Sequence, residues 1–315
     1  MSDLRLRTMT RTSGPNAALK DGSVILHEAV LDFMDVPVLV QGFRRMVRGL
    51  EFDISEMALT TYLVAKSHGV RFTALPIFLV RGLHHGAIQV ARDGGIGQAK
   101  ELEGRRVGVN RGYTVTTGVW ARGILATEYG VDLDRVTWVA SGDEHVAEYR
   151  PPGNVVTMPA GGDLTQMLLA GDLAATIGVD SADAGVAPLI ANPEEAGLAA
   201  LRRTGYYPIN HLVVVQDDLL TAHPGLAAHL FTAFAAAKDH YVARLREELI
   251  TEPTPADNTY ARVLRATGRD PLPYGLEPNR AALQELMDQA VAQHIMGDGL
   301  PLESLFAAGT LELTA

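Results

Sequence analysis

The feature that most constrains this chain is a repeated alternation of short apolar segments with longer helical ones. In the clearest example, residues 105–129 predict a strand, a glycine-containing loop and a helix that ends at Gly130. Residues 174–179 predict a further strand, and residues 211–215 a strand that precedes a long helix. Strands and helices that alternate in this way form parallel sheets covered by helices, so we expect an α/β protein.

The length and composition indicate how much apolar surface such a chain can bury. With 315 residues it exceeds the usual size of a single hydrophobic core, so two compact lobes are expected. Hydrophobic residues make up 47% and charged residues 20% of the chain, which is typical of an ordinary globular protein and excludes extended disorder.

Charge and cysteine content exclude several classes of function. The formal net charge of −10 argues against nucleic-acid and membrane partners, because a phosphate backbone or anionic lipid surface requires a basic face. The absence of cysteine excludes disulfides, thiolate nucleophiles and cysteine-based metal sites. Residues 1–35 contain no uninterrupted apolar stretch of the signal-peptide or transmembrane kind, so we expect a cytoplasmic protein.

Six short stretches carry a family resemblance. They occur in the family's own order, spread from about residue 44 to the C-terminus: Glu51–Met57, Val107–Tyr113, Trp120–Leu125, Glu128–Val131, Tyr207–Leu212 and Tyr274–Arg280. Together they resemble the 4,5-dihydroxyphthalate decarboxylase family, of which this chain looks like a divergent member.

The resemblance implies a two-lobed type II periplasmic-binding-protein-like fold, each lobe a sheet flanked by helices, with a ligand cleft between them. Residues 1–85 and 211–315 would form one lobe and residues 86–210 the other. The implied activity is that of a carbon–carbon lyase, the decarboxylation of a hydroxylated, phthalate-like aromatic carboxylate in the cleft. Two alternatives stay open: a non-catalytic binding protein for a small carboxylate, and a cytoplasmic lyase acting on a non-aromatic carboxylate.

The chain departs from the family in two loops. Thr8–Thr12 stands where the family carries Asp-Tyr-Asp-Arg-Thr, so Arg11 is kept but two acids are lost. Leu83–Gly86 stands where the family carries Phe-Arg-His-Ser, so His85 matches the family histidine and His84 replaces an arginine. Both changes bear on the identity of the substrate.

Ser55 and Glu56 stand where a loop is predicted to enter a helix running to about Ser67. Exposed backbone N–H groups and the helix dipole favour an anion at such a point, which makes Ser55 a candidate for substrate binding and Glu56 for catalysis. The alternative is that Ser55 only caps the helix and Glu56 stabilises its first turn.

A second candidate site follows the strand at residues 105–109. Arg111, Tyr113, Thr116 and Thr117 lie where open α/β sheets bind ligands, so Arg111 is suited to a carboxylate and the hydroxyl groups to ring substituents. The alternative is a solvated arginine with ordinary helix capping.

Asp180 follows the predicted strand that ends at Val179. It is predicted to bind a ligand hydroxyl or to make a contact that closes the two lobes, and the alternative is a turn residue. Trp120 is expected to be packed inside and Arg122 to be exposed. Residues 143–145 are expected to form a solvated polar loop.

The expected acid is a histidine near one of the two points where the chain is predicted to pass from one lobe to the other. His85 is preferred over His84 because neighbours in a strand point to opposite faces, and His211 at the second crossing is predicted to face the same cavity. His85, with Glu56 or His211 beside it, would then protonate the ring carbon from which carbon dioxide leaves. The alternative for each histidine is a structural role.

Arginines are the expected substrate anchors. Arg81 or Arg111 would bind a second carboxylate or a hydroxyl, and Arg11, kept from the family loop, would also contact the substrate.

No cofactor is expected. A divalent metal held by Glu56, His85 and His211 stays an alternative, because carboxylate and imidazole suit several such ions, although no close ligand spacing demands one. The expected partner is a small-molecule carboxylate, and the sequence leaves a homo-oligomer open.

Overall fold

The computed structural model describes residues 4–315, which form two compact units. The first unit contains the described chain up to Gly82, Tyr206–Gln284 and Leu300–Ala315, and the second contains Leu83–Gly205 and Glu285–Gly299. The expected lobes, 1–85 with 211–315 and 86–210, therefore differ from the observed units mainly at Glu285–Gly299. The first three residues of that expectation lie outside the described residues.

Strands and helices alternate along most of the chain, as predicted. The strands in residues 4–315 are β1 (Arg5–Met9), β2 (Val30–Phe33), β3 (Ile54–Ala58), β4 (Phe72–Arg81), β5 (Ile88–Ala91), β6 (Arg106–Val109), β7 (Thr137–Ala140), β8 (Val155–Thr157), β9 (Ala175–Ile177), β10 (Val186–Pro188) and β11 (Ile209–Gln216). The α-helices in this range are α1 (Ala17–Lys20), α2 (Leu39–Gly49), α3 (Leu59–Ser67), α4 (Thr116–Tyr129), α5 (Leu164–Leu169), α6 (Pro193–Thr204), α7 (Asp217–Ala222), α8 (Leu226–Arg246), α9 (Pro255–Thr267) and α10 (Arg280–Ala292).

The first unit is built on a sheet of five strands in the order β2-β1-β3-β11-β4. Strand β1 is parallel to β2 and β3, whereas β11 is antiparallel to β3 and β4. All five residues of β3 are buried because this strand lies at the centre of the sheet. The site residues Ser55 and Glu56 are consequently fixed in the middle of a strand.

The second unit is built on a sheet of six strands in the order β10-β5-β9-β6-β7-β8. Strand β6 is parallel to both neighbours, and helix α4 follows it after a loop. The helix ends at Gly130, which adopts φ = 66°, a conformation that glycine tolerates well. The predicted strand–loop–helix segment and the α/β class are both confirmed.

Within the described range 4–315, the structure contains no helix that is long and apolar enough to cross a membrane.

Candidate active site

The clearest chemical arrangement in the first unit is a carboxylate–imidazole pair. The Nδ1 atom of His211 lies 2.6 Å from Oε1 of Glu56. The Glu56 side chain is 2% exposed and that of His211 15% exposed. Since an ionised carboxylate can only accept, Nδ1 carries the hydrogen and Nε2 is the nitrogen left for other chemistry.

Strand register explains why these two side chains meet. In the antiparallel pair β3·β11, His211 lies opposite Ala58 and Val213 lies opposite Glu56. Glu56 and His211 are therefore diagonal neighbours on one face of the sheet. The ring of Phe43 meets the imidazole edge-on at a centroid distance of 5.2 Å and restricts its orientation.

The surroundings of Glu56 favour its ionised form. Burial raises the pKa of the carboxyl group, but the hydrogen bond and charge of His211, together with the backbone N–H of Arg11 at 2.8 Å from Oε2, outweigh it. The net pKa lies below the ordinary glutamate value. A buried, ionised carboxylate thus accepts the Nδ1–H of His211 and fixes the orientation of the ring.

Lys20, which sequence reasoning did not select, lies beside this pair. Its Nζ donates to the carbonyl oxygen of Thr10 at 2.5 Å and to Oγ1 of Thr12 at 3.0 Å, on either side of Arg11. Burial lowers the pKa of the ammonium, against the opposing charges of Glu56 and Asp35. No motif marks such a lysine, because only the folding of the loop after β1 brings it there.

Ser55 and Arg11 take positions that differ from those expected. The predicted helix over residues 56–67 is wrong at its start, since α3 begins at Leu59 and Ser55 lies in β3. The Ser55 hydroxyl is fully buried and donates to the Glu56 carbonyl oxygen at 2.7 Å. Arg11 is exposed and contributes its backbone N–H to Glu56.

The side chain of Arg81 forms hydrogen bonds within the first unit. Its guanidinium donates to the carbonyl oxygens of Tyr207 and Pro273, each at 2.9 Å, and to Oδ1 of Asn279. The residue is 5% exposed, and burial lowers its pKa to about 10. These bonds give Arg81 a structural role for which the sequence offered no signal.

In the second unit, His85 begins a short 3-10 helix after β4 has ended. Its Nε2 lies 3.2 Å from the Glu128 carboxylate, which also pairs with Arg203 at 3.2 Å. His85 is buried, and its Nδ1 has no hydrogen-bond partner in the described chain. His84 stacks on Trp120 at a centroid distance of 6.5 Å, so the expected packing of Trp120 is observed. The convergence of His85 with Glu56 and His211 stays a prediction.

The loop before α4 donates hydrogen bonds to a carboxylate of the protein itself, that of Glu144. Glu144 accepts the backbone N–H of Tyr113 at 2.5 Å and both N–H and hydroxyl of Thr114, at 3.2 and 2.5 Å. Arg111 in this loop is exposed and adopts φ = 68°, which is unusual for a residue other than glycine. The expectation of a solvated loop at residues 143–145 is wrong for Glu144 and for His145, which is buried.

Tyr113 and Arg122 form the interior of the second unit. The Tyr113 hydroxyl donates to the Gln293 carbonyl oxygen at 3.4 Å, and burial raises its pKa. Arg122 was expected to be exposed but is fully buried, with its guanidinium carbon 3.8 Å from the Tyr113 ring centroid. Its Nε donates to Gln293 Oε1 at 2.8 Å, which explains why residues 285–299 belong to this unit.

The remaining predicted ligand contacts of the second unit lie at the start of helix α4 and after strand β9. Thr116 is buried at the start of α4, Thr117 is half-buried beside it, and Asp180 is exposed after β9. Their roles toward a ligand stay predictions.

Residues 4–315 contain no group of three or more His, Asp or Glu side chains that could hold a metal ion. The Glu56–His211 pair provides two such side chains, and His85 belongs to the other unit.

No family model matches the chain. It is 28% identical to a 4,5-dihydroxyphthalate decarboxylase of Comamonas testosteroni over 99% of both chains. It is also 32% identical to a 4,5-dihydroxyphthalate decarboxylase of Pseudomonas putida, over 48% of this chain and 63% of that protein.

Among solved structures, the periplasmic aliphatic sulphonate binding protein SsuA of Escherichia coli matches with a TM-score of 0.59 and 12% identity, over 99% of this chain and 100% of its own. The architecture is thus that of the type II periplasmic-binding-protein-like class. Within this class, the chain resembles 4,5-dihydroxyphthalate decarboxylases, and the resemblance to the Comamonas testosteroni protein extends along the full length.

Proposed function

We propose that this protein is a carbon–carbon lyase that decarboxylates a hydroxylated, phthalate-like aromatic carboxylate. The observation that carries the proposal is the buried Glu56–His211 pair in a chain that resembles a decarboxylase from end to end. The pair provides a proton donor, and the relatives indicate which reaction requires it.

The reaction sets a definite chemical demand. The ring carbon that bears the carboxylate takes one proton. The bond between this carbon and the carboxylate then breaks, its electron pair returns to the ring, and carbon dioxide leaves. A hydroxyl group para to that carbon, as in 4,5-dihydroxyphthalate, donates electron density to it, so that an acid of moderate strength can protonate it. A positioned general acid contributes about 100- to 10,000-fold to such a step.

His211 is suited to that role. Its Nδ1–H is bound to Glu56, so the imidazolium can release only the Nε2 proton while keeping this hydrogen bond. Because Glu56 is buried and ionised, it holds the ring in one orientation while Nε2 gives up its proton, and solvent returns that proton afterwards. Glu56 therefore orients His211, and His211 donates the proton.

His85 is the competing candidate for the same proton. The sequence predicted it as the acid, and its pairing with Glu128 leaves its buried Nδ1 as the nitrogen without a partner. We assign the donation to His211 because its ring is partly exposed whereas that of His85 is enclosed.

Single-turnover and steady-state release of carbon dioxide from 4,5-dihydroxyphthalate would test the assignment in His211→Gln, His85→Gln and His223→Gln. His223 is an exposed histidine of the same unit as His211 and provides the matched control. We expect kcat to fall about 100- to 10,000-fold in H211Q, with ligand binding retained, and to be unchanged in H223Q. Wild-type turnover by H211Q together with loss in H85Q would transfer the role to His85.

A non-catalytic binding protein for a small carboxylate is the second candidate. The fold shared with a protein described as binding aliphatic sulphonate favours it. Thermal stabilisation by hydroxylated phthalates and benzoates, or by non-aromatic carboxylates, without release of carbon dioxide would establish this function instead.

A further inference from the structure

Lys20 is a half-buried cation with unused capacity to bind an anion. An ammonium has three N–H donors, and Lys20 uses two of them on oxygens of Thr10 and Thr12. The charges of Glu56 and Asp35 raise the pKa of this ammonium, but burial lowers it by more. The ring of Phe33 covers the ammonium at 5.0 Å, which shields the charge from water without neutralising it.

A second, independent observation lies in the same loop. Thr10 is 5% exposed, and its Oγ1 has no hydrogen-bond partner in the described chain. A buried hydroxyl without a partner is unfavourable, so such groups are normally paired or are completed by a ligand or water. This hydroxyl belongs to the residue whose carbonyl oxygen binds Lys20.

The loop also connects Lys20 to the proposed acid. Lys20 binds the residues on both sides of Arg11, and the Arg11 N–H donates to Glu56, which in turn holds His211. The two Glu56 oxygens accept hydrogen bonds from Arg11 and His211, and the carboxylate charge also acts on Lys20. The first unit therefore contains a cation, Lys20, and a proposed proton donor, His211, on segments that these hydrogen bonds connect.

We infer that Lys20, with the hydroxyl of Thr10, binds the carboxylate that the substrate retains. This inference rests on the proposed function. It assigns to Lys20 the anchoring role expected of Arg81, whose guanidinium is used within the unit. One carboxylate is held at Lys20, and the other is lost near His211.

Calorimetric titration of the full chain with phthalate and with benzoate tests the anchor, because the two probes differ by one carboxylate. Wild-type protein should bind phthalate about 10- to 100-fold more tightly than benzoate. K20M should bind the two about equally, and K20R should keep part of the preference. K20Q retains N–H donors for the Thr10 carbonyl but has no charge, so it separates loop structure from anion binding. Wild-type preference in K20Q would overturn the inference.

Thr10→Val provides a second test that does not depend on the lysine. It replaces the unpartnered hydroxyl by a methyl group of similar size, so the unliganded protein should melt at the same or a higher temperature. Phthalate affinity should nevertheless fall. A variant with unchanged phthalate affinity would remove Thr10 from the site and contradict the inference.

Release of carbon dioxide in the same variants separates this inference from the proposed function. A phthalate preference that depends on Lys20 without any release would keep the anchor and refute decarboxylation. Release by the wild type with an unchanged preference in K20Q would refute only the anchor. If the wild-type protein binds phthalate and benzoate with equal affinity, the role of Lys20 as an anchor is refuted, whatever the activity.

Discussion

His211 and Glu56 are 155 residues apart in the chain, yet their side chains form a hydrogen bond of 2.6 Å on adjacent strands of one sheet. The bond fixes which ring nitrogen faces Glu56 and which is free to react. Because the carboxylate is buried and ionised, the relationship also has consequences for stability that can be measured apart from activity.

The first prediction concerns Glu56→Gln and pH. The folded-state pKa of Glu56 lies below its ordinary value, so its ionisation stabilises the fold above the unfolded pKa of about 4.3. That contribution is lost as pH falls through the folded pKa. The free energy of unfolding of E56Q should therefore lie below that of the wild type at neutral pH, and the difference should shrink in acid. Urea titrations at several pH values measure it, and a pH-independent difference would contradict the assignment.

The second prediction is that Arg81 stabilises the fold irrespective of substrate. Arg81→Ala removes a buried guanidinium that holds the carbonyl oxygens of Tyr207 and Pro273, and should cost about 2–4 kcal/mol of unfolding free energy. Arg71→Ala, at an exposed ion pair with Asp218, should change stability little. Equal denaturation midpoints for the two variants would count against this role.

The third prediction concerns Arg122 and Gln293, which join the helical segment at residues 285–299 to the second unit. In a double-mutant cycle with Arg122→Met and Gln293→Met, we expect a coupling energy of about 1–3 kcal/mol, because the two side chains share a buried hydrogen bond. Additive effects on the free energy of unfolding would show that the contact contributes nothing specific.

The fourth prediction concerns Glu144. Glu144→Ala should release the backbone N–H groups of Tyr113 and Thr114, so their amide hydrogen exchange should accelerate and stability should fall by about 1–2 kcal/mol. Asp143→Ala, at an exposed neighbour, is the matched control. Exchange rates that respond equally to both substitutions would argue against the capping role of Glu144.

Sequence reasoning succeeded where the relevant signal is local. The loop and helix after β6 were predicted because apolar periodicity and Gly130 mark them directly. It failed at Ser55 and Glu56, since a central strand buried on both faces lacks the alternation that identifies a strand. The residue types identified Glu56 and His211 as candidates, but they did not predict that the two side chains form a hydrogen bond with each other.

The sequence by itself determined the α/β class, the resemblance to a family of decarboxylases and several of the side chains able to carry chemistry, because these depend on periodicity and on the order of residues. Only the tertiary structure decided which polar groups are already used internally and which are not. Arg81 and Arg122 are held by carbonyl and amide oxygens far away in the chain, while Lys20 keeps an unused donor. That distinction depends on hydrogen bonds between residues remote in sequence, which no local pattern encodes.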